Sequence, residues 1–244
     1  MPPRILELRT KILKKNDELA RRLRDDFTRA GVLVVNVVSG PGAGKTELLT
    51  KTLSRLNEEY RTAAVVGDLA TENDARRLAT SGSPVKQILT GTMCHLEADM
   101  VREAISEWDL AEHDFLFIEN VGNLVCPSSW DLGEDFRVLV SSVTEGEDKP
   151  LKYPTLINSC DVVVISKIDL ATALDFDLGL LRRNIELVRP GVPVFELSAR
   201  SGAGIDGWLD YLRKRFDDKC NNSSINSPKQ CSTRDTSSTL TASR

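Results

Sequence analysis

The fold is decided by one stretch of the 244-residue sequence, Ser39-Gly40-Pro41-Gly42-Ala43-Gly44-Lys45-Thr46. An apolar run, residues 32–38, precedes this stretch, and a helical pattern, residues 47–59, follows it. Glycines let the backbone turn its N–H groups inward around phosphate oxygens, and a helix N-terminus adds a favourable dipole. Lys45 would reach the β- and γ-phosphates of a nucleotide, and the Thr46 hydroxyl would ligate Mg²⁺. The stretch therefore predicts a phosphate-binding loop.

The match to the phosphate-loop pattern G-x-x-x-x-G-K-[ST] lacks only the first glycine, which is Ser39 here. The alternative interpretation is a chance glycine-rich turn. A strand before the loop and a helix after it are the context that the pattern requires, so they favour nucleotide binding.

Apolar runs alternate with helical stretches from residue 32 onward. The runs cover residues 32–38, 62–66, 115–118, 138–143, 162–165 and 194–197. Strands this apolar and β-branched are typical of a largely parallel sheet with helices on both faces. Helices are predicted at about 45–58, 73–80, 97–107, 176–188 and 205–216. We therefore predict an α/β fold of the P-loop NTPase type in a single domain, with an additional N-terminal helix.

The chain divides into three segments by composition. Residues 1–31 carry apolar side chains at helical spacing over 4–29 and predict an amphipathic helix that ends before Gly31. Residues 32–217 form the nucleotide-binding domain. Residues 218–244 are rich in Ser, Thr and Asn with few apolar side chains, so we expect them to be disordered.

Charge and hydropathy exclude several classes of partner. The net charge is -4 and no basic stripe is interleaved with aromatic residues, so we expect no nucleic-acid partner. No run approaches the roughly 18 apolar residues of a membrane span, and the N-terminus lacks the apolar run of a secretory signal. We therefore expect a cytoplasmic protein whose five cysteines are thiols or metal ligands.

Two carboxylates follow predicted strands, where the rest of a nucleotide site should lie. Asp68 comes after the run 62–66, and Glu119 comes after the run 115–118. The spacing of Glu119 and Gly122 resembles the D-x-x-G switch of GTPases, in which the glycine amide senses the γ-phosphate. Each carboxylate alone would be interpreted as a solvated loop residue or a helix cap. Together, after a phosphate loop, they predict a catalytic group of Lys45, Asp68 and Glu119 in which both carboxylates associate with Mg²⁺.

The choice of base is indicated by Ser166-Lys167-Ile168-Asp169, after the run 162–165. This segment resembles the N-K-x-D guanine motif, in which the carboxylate accepts hydrogen bonds from guanine N1–H and the exocyclic amine. Adenine offers no such pair of donors, so Asp169 favours GTP. Ser198-Ala199-Arg200 resembles the S-A-K loop that supports the base. Ser166 replaces the usual asparagine and cannot make all of its bonds, which leaves ATP as the alternative.

Cys94, His95 and Cys126 form the second unusual feature. A single buried cysteine behaves as a small hydrophobe, and Cys160, beside an apolar run, is assigned to that role. The other three are predicted near the switch carboxylates, and thiolate with imidazole suits Ni²⁺ or Zn²⁺. Three ligands leave one coordination position open or filled by a second subunit. Since Cys126 lies four residues beyond Gly122, within roughly 14 Å of extended chain, a nucleotide-driven shift could move a metal ligand.

Several segments closely resemble the HypB family of GTPases, which help deliver nickel to [NiFe]-hydrogenase. They include Cys94-His95-Leu96-Glu97-Ala98 and Glu119-Asn120-Val121-Gly122-Asn123-Leu124-Val125-Cys126-Pro127. The resemblance covers about residues 5 to 217. It implies a GTP-dependent homodimer with Cys94, His95 and Cys126 as metal ligands near the subunit interface. It also implies a hydrogenase precursor and other maturation proteins as partners.

Two alternatives stay open at this point. One is a related GTPase that serves urease or a cobalamin enzyme, although the Cys-Pro-His triplet expected of the urease type is absent from the sequence. The other is a dimer held together by structural Zn²⁺, with the GTPase acting as a timer for partner docking.

Overall fold

The computed structural model describes residues 4–69 and 71–224, and within these ranges a seven-stranded sheet forms the centre of the protein. The strands are β1 Leu33–Ser39, β2 Thr62–Asp68, β3 Val85–Leu89, β4 Phe115–Glu119, β5 Phe136–Ser142, β6 Val162–Ser166 and β7 Val194–Glu196. Every pair of neighbouring strands is parallel, in the order β3-β2-β4-β1-β5-β6-β7. All the strands therefore end at the same edge of the sheet.

Helices cover both faces of the sheet. They are α1 Arg4–Ala30, α2 Lys45–Leu56, α3 Asn73–Ala79, α4 Ala98–Ala104, α5 Lys149–Lys152, α6 Pro154–Ser159, α7 Leu178–Val188 and α8 Ile205–Ser224. Short 3₁₀ turns lie at Leu110–Glu112, Cys126–Ser129 and Ile168–Leu170. The predicted fold class is confirmed. None of the helices in the described part of the chain is long and apolar enough to cross a membrane.

Alternating side chains of the strands pack into two core layers, one on each face of the sheet. On β1, Val35 and Val37 pack with residues of α2 and α8 on one face, while Val34 faces the other layer, where α1 packs. Helix α1 contributes Leu23 and Phe27, which are almost completely buried. Burying a side chain of this size stabilises the fold by about 1.5–3 kcal/mol. The predicted amphipathic helix is thus part of the core packing.

One strand and two short helices were not predicted. Strand β3 lies at the edge of the sheet and pairs with β2 alone. Its sequence, Val85–Leu89, mixes Lys86 and Gln87 with apolar residues, so it lacks the continuous apolar pattern of a central strand. Helices α5 and α6 have four and six residues, each with proline in the first turn, and are too short to show helical periodicity.

The C-terminal boundary of the domain was placed too early. Disorder was predicted from residue 218, but α8 continues to Ser224. Phe216 is buried in the core, and one turn later the Lys219 ammonium donates to the Asp135 carboxylate at 2.6 Å and to the Val32 carbonyl at 2.7 Å. These contacts hold the helix against the start of β1. The rest of the predicted tail, residues 225–244, lies outside the described residues.

Candidate functional site

A cavity of about 500 Å³ opens at the edge where the parallel strands end. The phosphate-loop residues from Pro41 to Thr46, apart from Ala43, line it together with Asp68, Glu119, Gly122 and Lys167. The structure thus brings most of the predicted phosphate and magnesium residues to one place. A ligand at this edge is expected for a parallel α/β sheet.

The loop between β1 and α2 has the geometry of an anion cradle. Gly42 and Gly44 adopt φ angles of 73° and 95°, a left-handed backbone that other residues rarely adopt. Helix α2 begins at Lys45, directly after this turn, so its first N–H groups face the loop. The Lys45 ammonium donates to the Ser39 hydroxyl at 2.9 Å. Ser39, at the position of the missing first glycine, therefore holds the lysine in place.

Thr46 and Glu119 form a buried, hydrogen-bonded polar pair in the cavity. The Thr46 hydroxyl donates to Glu119 Oε1 at 2.7 Å, and Glu119 is 2% exposed. Its second oxygen, Oε2, has no hydrogen-bond partner among the described residues. Burial raises the pKa of the Glu119 carboxyl to about 7, with Lys45 opposing the shift. A hydroxyl beside an unsatisfied carboxylate oxygen is a donor set that suits Mg²⁺.

Asp68 lines the same cavity from the end of β2. Its carboxylate accepts from the Leu69 N–H at 2.6 Å and from the Thr71 hydroxyl at 2.6 Å. These bonds tie the Asp68 carboxylate to Leu69 and Thr71, which follow β2.

Two lining residues on α3 were not among the predicted site residues. The sequence favoured a helix N-cap for Asp74, with orientation of the attacking water as the alternative, and indicated no role for Arg77. Asp74 and Arg77 both face the cavity, and Arg77 forms an ion pair with Glu47 of α2. Their three-residue spacing places them on one face of a helix, which is the signal that could have identified them. Asp74 is in the first turn of α3 and Glu72 occupies the cap position.

The residues predicted to read the base lie at the ends of β6 and β7. The Ser166 hydroxyl donates to the Ala43 carbonyl at 2.6 Å, and the Lys167 ammonium donates to the Gly42 carbonyl at 2.7 Å. The base loop is therefore tied directly to the phosphate loop. Asp169 is exposed and Ser198 is buried. Asp169, Ser198 and Ala199 do not line the cavity around the phosphate loop.

Gly122 lies directly against the phosphate loop. A Cβ built on it would be 3.2 Å from Pro41 Cα and 3.6 Å from Lys45 Nζ. A side chain would therefore crowd the loop backbone, and glycine lets the loop 119–122 approach the phosphate loop this closely.

The ligand atoms of Cys94, His95 and Cys126 all lie within 4.8 Å of one another. Cys94 Sγ is 3.9 Å from His95 Nδ1. His95 Nε2 is buried without a hydrogen-bond partner among the described residues, and Glu97 Oε1 is 3.6 Å away. Burial lowers the pKa of the His95 imidazole, with Glu97 opposing the shift. The neutral imidazole is the form that binds metal, so the predicted cluster is assembled in a state suited to Ni²⁺ or Zn²⁺.

The two ligand-bearing segments are held by side chains that the sequence did not indicate. His95 stacks on Trp130, with ring centroids 4.2 Å apart. The Arg137 guanidinium donates to the carbonyls of Pro127 at 3.2 Å and Trp130 at 2.6 Å, and it pairs with Glu134 at 2.7 Å. This buried ion pair therefore fixes the turn that begins at Cys126.

Helix α1 joins the same two segments through one residue. The Asn16 amide accepts from the Ala98 N–H at 2.9 Å and donates to the Asp131 carbonyl at 2.8 Å. Ala98 lies three residues after His95, and Asp131 follows Trp130. An asparagine on the buried face of α1 thus bridges the segments around the predicted metal ligands.

Comparison with known proteins first identifies the class of protein to which the chain belongs. The family model for the CobW/HypB/UreG nucleotide-binding domain matches residues 17–196. Together with the phosphate loop and the parallel sheet, this match defines a nucleotide-binding protein of the P-loop class.

The similar proteins define the family within that class. The hydrogenase maturation factor HypB of Escherichia coli (strain K12) is 46% identical over 209 residues, which are 86% of this chain and 72% of that protein. The hydrogenase/urease maturation factor HypB of Helicobacter pylori is 38% identical over 84% of this chain and 86% of that protein. A crystal structure of HypB from Helicobacter pylori in complex with nickel has a TM-score of 0.79 at 38% identity, covering 84% of this chain and 96% of that one. The chain belongs to the HypB family of hydrogenase maturation factors.

Proposed function

We propose that this protein hydrolyses GTP and couples its nucleotide state to binding and release of nickel for [NiFe]-hydrogenase. The observation that carries the proposal is the path from Glu119 to Cys126. One loop contacts the phosphate loop at Gly122 and reaches a member of the Cys–His cluster four residues later. The nickel complex of the Helicobacter pylori HypB supports nickel as the cargo.

The proposed chemistry assigns a role to each of the phosphate and magnesium residues predicted from the sequence. Mg²⁺, when bound, neutralises charge on the transferring phosphoryl group. Thr46, Glu119 and Asp68 would hold that ion through oxygen ligands, as the unsatisfied Glu119 Oε2 suggests. Lys45 would stabilise negative charge on the β- and γ-phosphates, and the backbone N–H groups of Gly40 and of residues 42–46 would hold the phosphate oxygens. Gly122 would sense the γ-phosphate through its amide.

Guanine recognition is assigned to the loops after β6 and β7. The exposed Asp169 carboxylate would accept from guanine N1–H and the exocyclic amine, and Ser198 with Ala199 would support the base. Lys167 lies beside the phosphate loop, so it joins the base and phosphate parts of the site. ATP stays the competing nucleotide. Equal protection from thermal unfolding by GTP and ATP at equal concentration would contradict the guanine assignment.

The metal site is proposed to work in a cytoplasmic homodimer. Three ligands leave a position that a second copy of the chain, or the acceptor protein, can fill. The proposed partners are a hydrogenase precursor and other maturation proteins. If zinc instead staples the dimer, Cys126→Ala would abolish dimerisation in every nucleotide state, whereas the nickel proposal expects the dimer to depend on GTP.

Urease is the second candidate destination because the Helicobacter pylori relative is named for hydrogenase and urease maturation together. A deletion strain separates the two. Loss of hydrogenase activity with unchanged urease activity supports the hydrogenase proposal, and the opposite pattern contradicts it.

The test of the coupling is a nickel titration of the purified protein with GDP and with a nonhydrolysable GTP analogue. The proposal expects two different dissociation constants, since a ligand shifts only an equilibrium whose states it distinguishes. Equal dissociation constants in the two states would refute the proposal.

A further inference from the structure

One buried amide oxygen connects the nucleotide-side loop to the loop that carries two metal ligands. Asn120 is 1% exposed and directly follows Glu119. Its Oδ1 accepts from the Val121 N–H at 3.0 Å and from the Leu96 N–H at 3.1 Å. Val121 precedes the proposed γ-phosphate sensor, and Leu96 follows the ligand His95. The same acceptor atom therefore holds both loops.

The position of Asn120 is fixed relative to the phosphate loop. Its backbone N–H donates to the Val37 carbonyl of β1 at 2.9 Å, and its Nδ2 lies 3.4 Å from Asn36 Oδ1. Asn36 donates in turn to the buried Glu134 at 3.0 Å. Because β1 runs directly into the phosphate loop, Asn120 is attached to the element that would bind the nucleotide.

The ligand loop is also packed on the end of β2. Leu96 is fully buried, and a Cβ built on Gly67 would lie only 2.8 Å from Leu96 Cδ2. The Thr90 N–H donates to the Asp68 carbonyl at 2.9 Å, and the Thr90 hydroxyl donates to the Met93 carbonyl at 2.7 Å. Since a close-packed contact transmits displacement and does not absorb it, a shift at these strand ends must move residues 93–96.

We infer that Asn120 is a positioning residue that transmits the state of the loop 119–122 to the metal ligands Cys94 and His95. Two N–H groups share its Oδ1, so a shift of Val121 toward a terminal phosphate changes the bond to Leu96. This route differs from the chain connection between Gly122 and Cys126, because it acts through a tertiary contact on the other two ligands. The inference rests on the proposed coupling of nucleotide and nickel.

The test compares nickel dissociation constants at saturating GDP and at a saturating nonhydrolysable GTP analogue, in the wild type and in Asn120→Ala. Saturation removes any effect of the substitution on nucleotide affinity. In Asn120→Ala, the ratio of the two nickel dissociation constants is expected to fall toward 1. The expected fall is a factor of about 2 to 13, which corresponds to the free energy of one intramolecular hydrogen bond. Thermal stability is measured in parallel.

Asn57→Ala is the matched control. The Asn57 amide donates to the Ser81 carbonyl at 3.0 Å and accepts from the Thr62 hydroxyl at 2.6 Å. Thr62 begins β2, so this asparagine lies at the opposite edge of the sheet. Asn57→Ala is expected to lower stability and to keep the wild-type ratio.

The outcomes separate the inference from the proposed function. If Asn120→Ala shows the same ratio of nickel dissociation constants as the wild type, the inference is overturned and the coupling stays in place. If the ratio measured in the wild type is itself 1, both the inference and the coupling are overturned. If Asn120→Ala does not fold, hydrogen exchange of the wild type decides. The Leu96 amide should exchange at different rates with GDP and with the GTP analogue, while the Ala98 amide, held by Asn16, serves as reference. Equal Leu96 rates overturn the inference.

Discussion

Replacing Asn16 with alanine removes the two hydrogen bonds by which α1 holds the segments around the predicted metal ligands. The Ala98 N–H and the Asp131 carbonyl, now at 2.9 Å and 2.8 Å from the amide, would both lose their partner. An unsatisfied buried polar group costs about 1–3 kcal/mol. Ala98 is fully buried and Asp131 is half-buried, so we expect the free energy of unfolding to fall by about 2–4 kcal/mol. Outer-shell contacts also orient ligands, and we expect nickel affinity to fall about tenfold.

Urea unfolding followed by circular dichroism measures the first effect, and the m-value should stay constant because the exposed surface does not change. Nickel titration of the folded variant measures the second effect. Lys15→Ala is the control, because Lys15 is adjacent to Asn16 in sequence but lies on the exposed face of α1. Its free energy of unfolding should stay within about 0.5 kcal/mol of the wild type. If Asn16→Ala changed the free energy of unfolding as little as the control does, and left nickel affinity unchanged, the bridging role would be refuted.

Three further predictions concern the nucleotide site and the thiols. Lys45→Ala should weaken binding of a GTP analogue by about 10- to 150-fold, the value of a charge-assisted hydrogen bond; calorimetry giving less than a twofold loss would contradict the phosphate role. Ser166→Ala should weaken nucleotide binding about 2- to 10-fold because it removes the tie to the phosphate loop, and unchanged affinity would show that this tie is unimportant. A thiol reagent at pH 8 should label Cys94 and Cys126 but spare native Cys160, because burial raises the pKa of the Cys160 thiol to about 12. Mass spectrometry reads the labelled sites, and rapid labelling of Cys160 in the folded protein would contradict its core position.

The central features of the fold were predictable because they depend on local sequence. The phosphate loop needs glycines at fixed positions, and Gly42 and Gly44 do adopt left-handed backbone angles. The central strands carry continuous apolar runs because both faces of a parallel sheet are buried. Strand β3, Val85–Leu89, pairs on one side only, so its sequence lacks that pattern.

The supporting contacts of the site were not predictable because they depend on how the chain folds back on itself. Asn16 and Asp131 are 115 positions apart, and nothing near either residue indicates the other. Arg137 lies within an apolar strand, where its partners Glu134 and Trp130 become apparent only once the turn after Cys126 has folded back. Residue types and order predict the ligands, whereas the fold decides which side chains orient them.

Ser166 occupies the position of the usual asparagine of the guanine motif and makes one contact of its own. Its hydroxyl donates to the Ala43 carbonyl, so one tie between the base loop and the phosphate loop is present despite the loss of the usual amide. Lys167 adds a second tie, to Gly42. The guanine assignment therefore depends on Asp169, which stays exposed at the end of β6.

The central claim is that the nucleotide site and the Cys94–His95–Cys126 cluster share one equilibrium. Linkage is reciprocal, so whatever factor GTP applies to nickel affinity, nickel must apply to nucleotide affinity. The most direct measurement is the preference for a GTP analogue over GDP, taken as the ratio of their dissociation constants, in metal-free and in nickel-loaded protein. The account predicts that the two preferences differ by the same factor as the nickel dissociation constants. Identical preferences with and without nickel would contradict it.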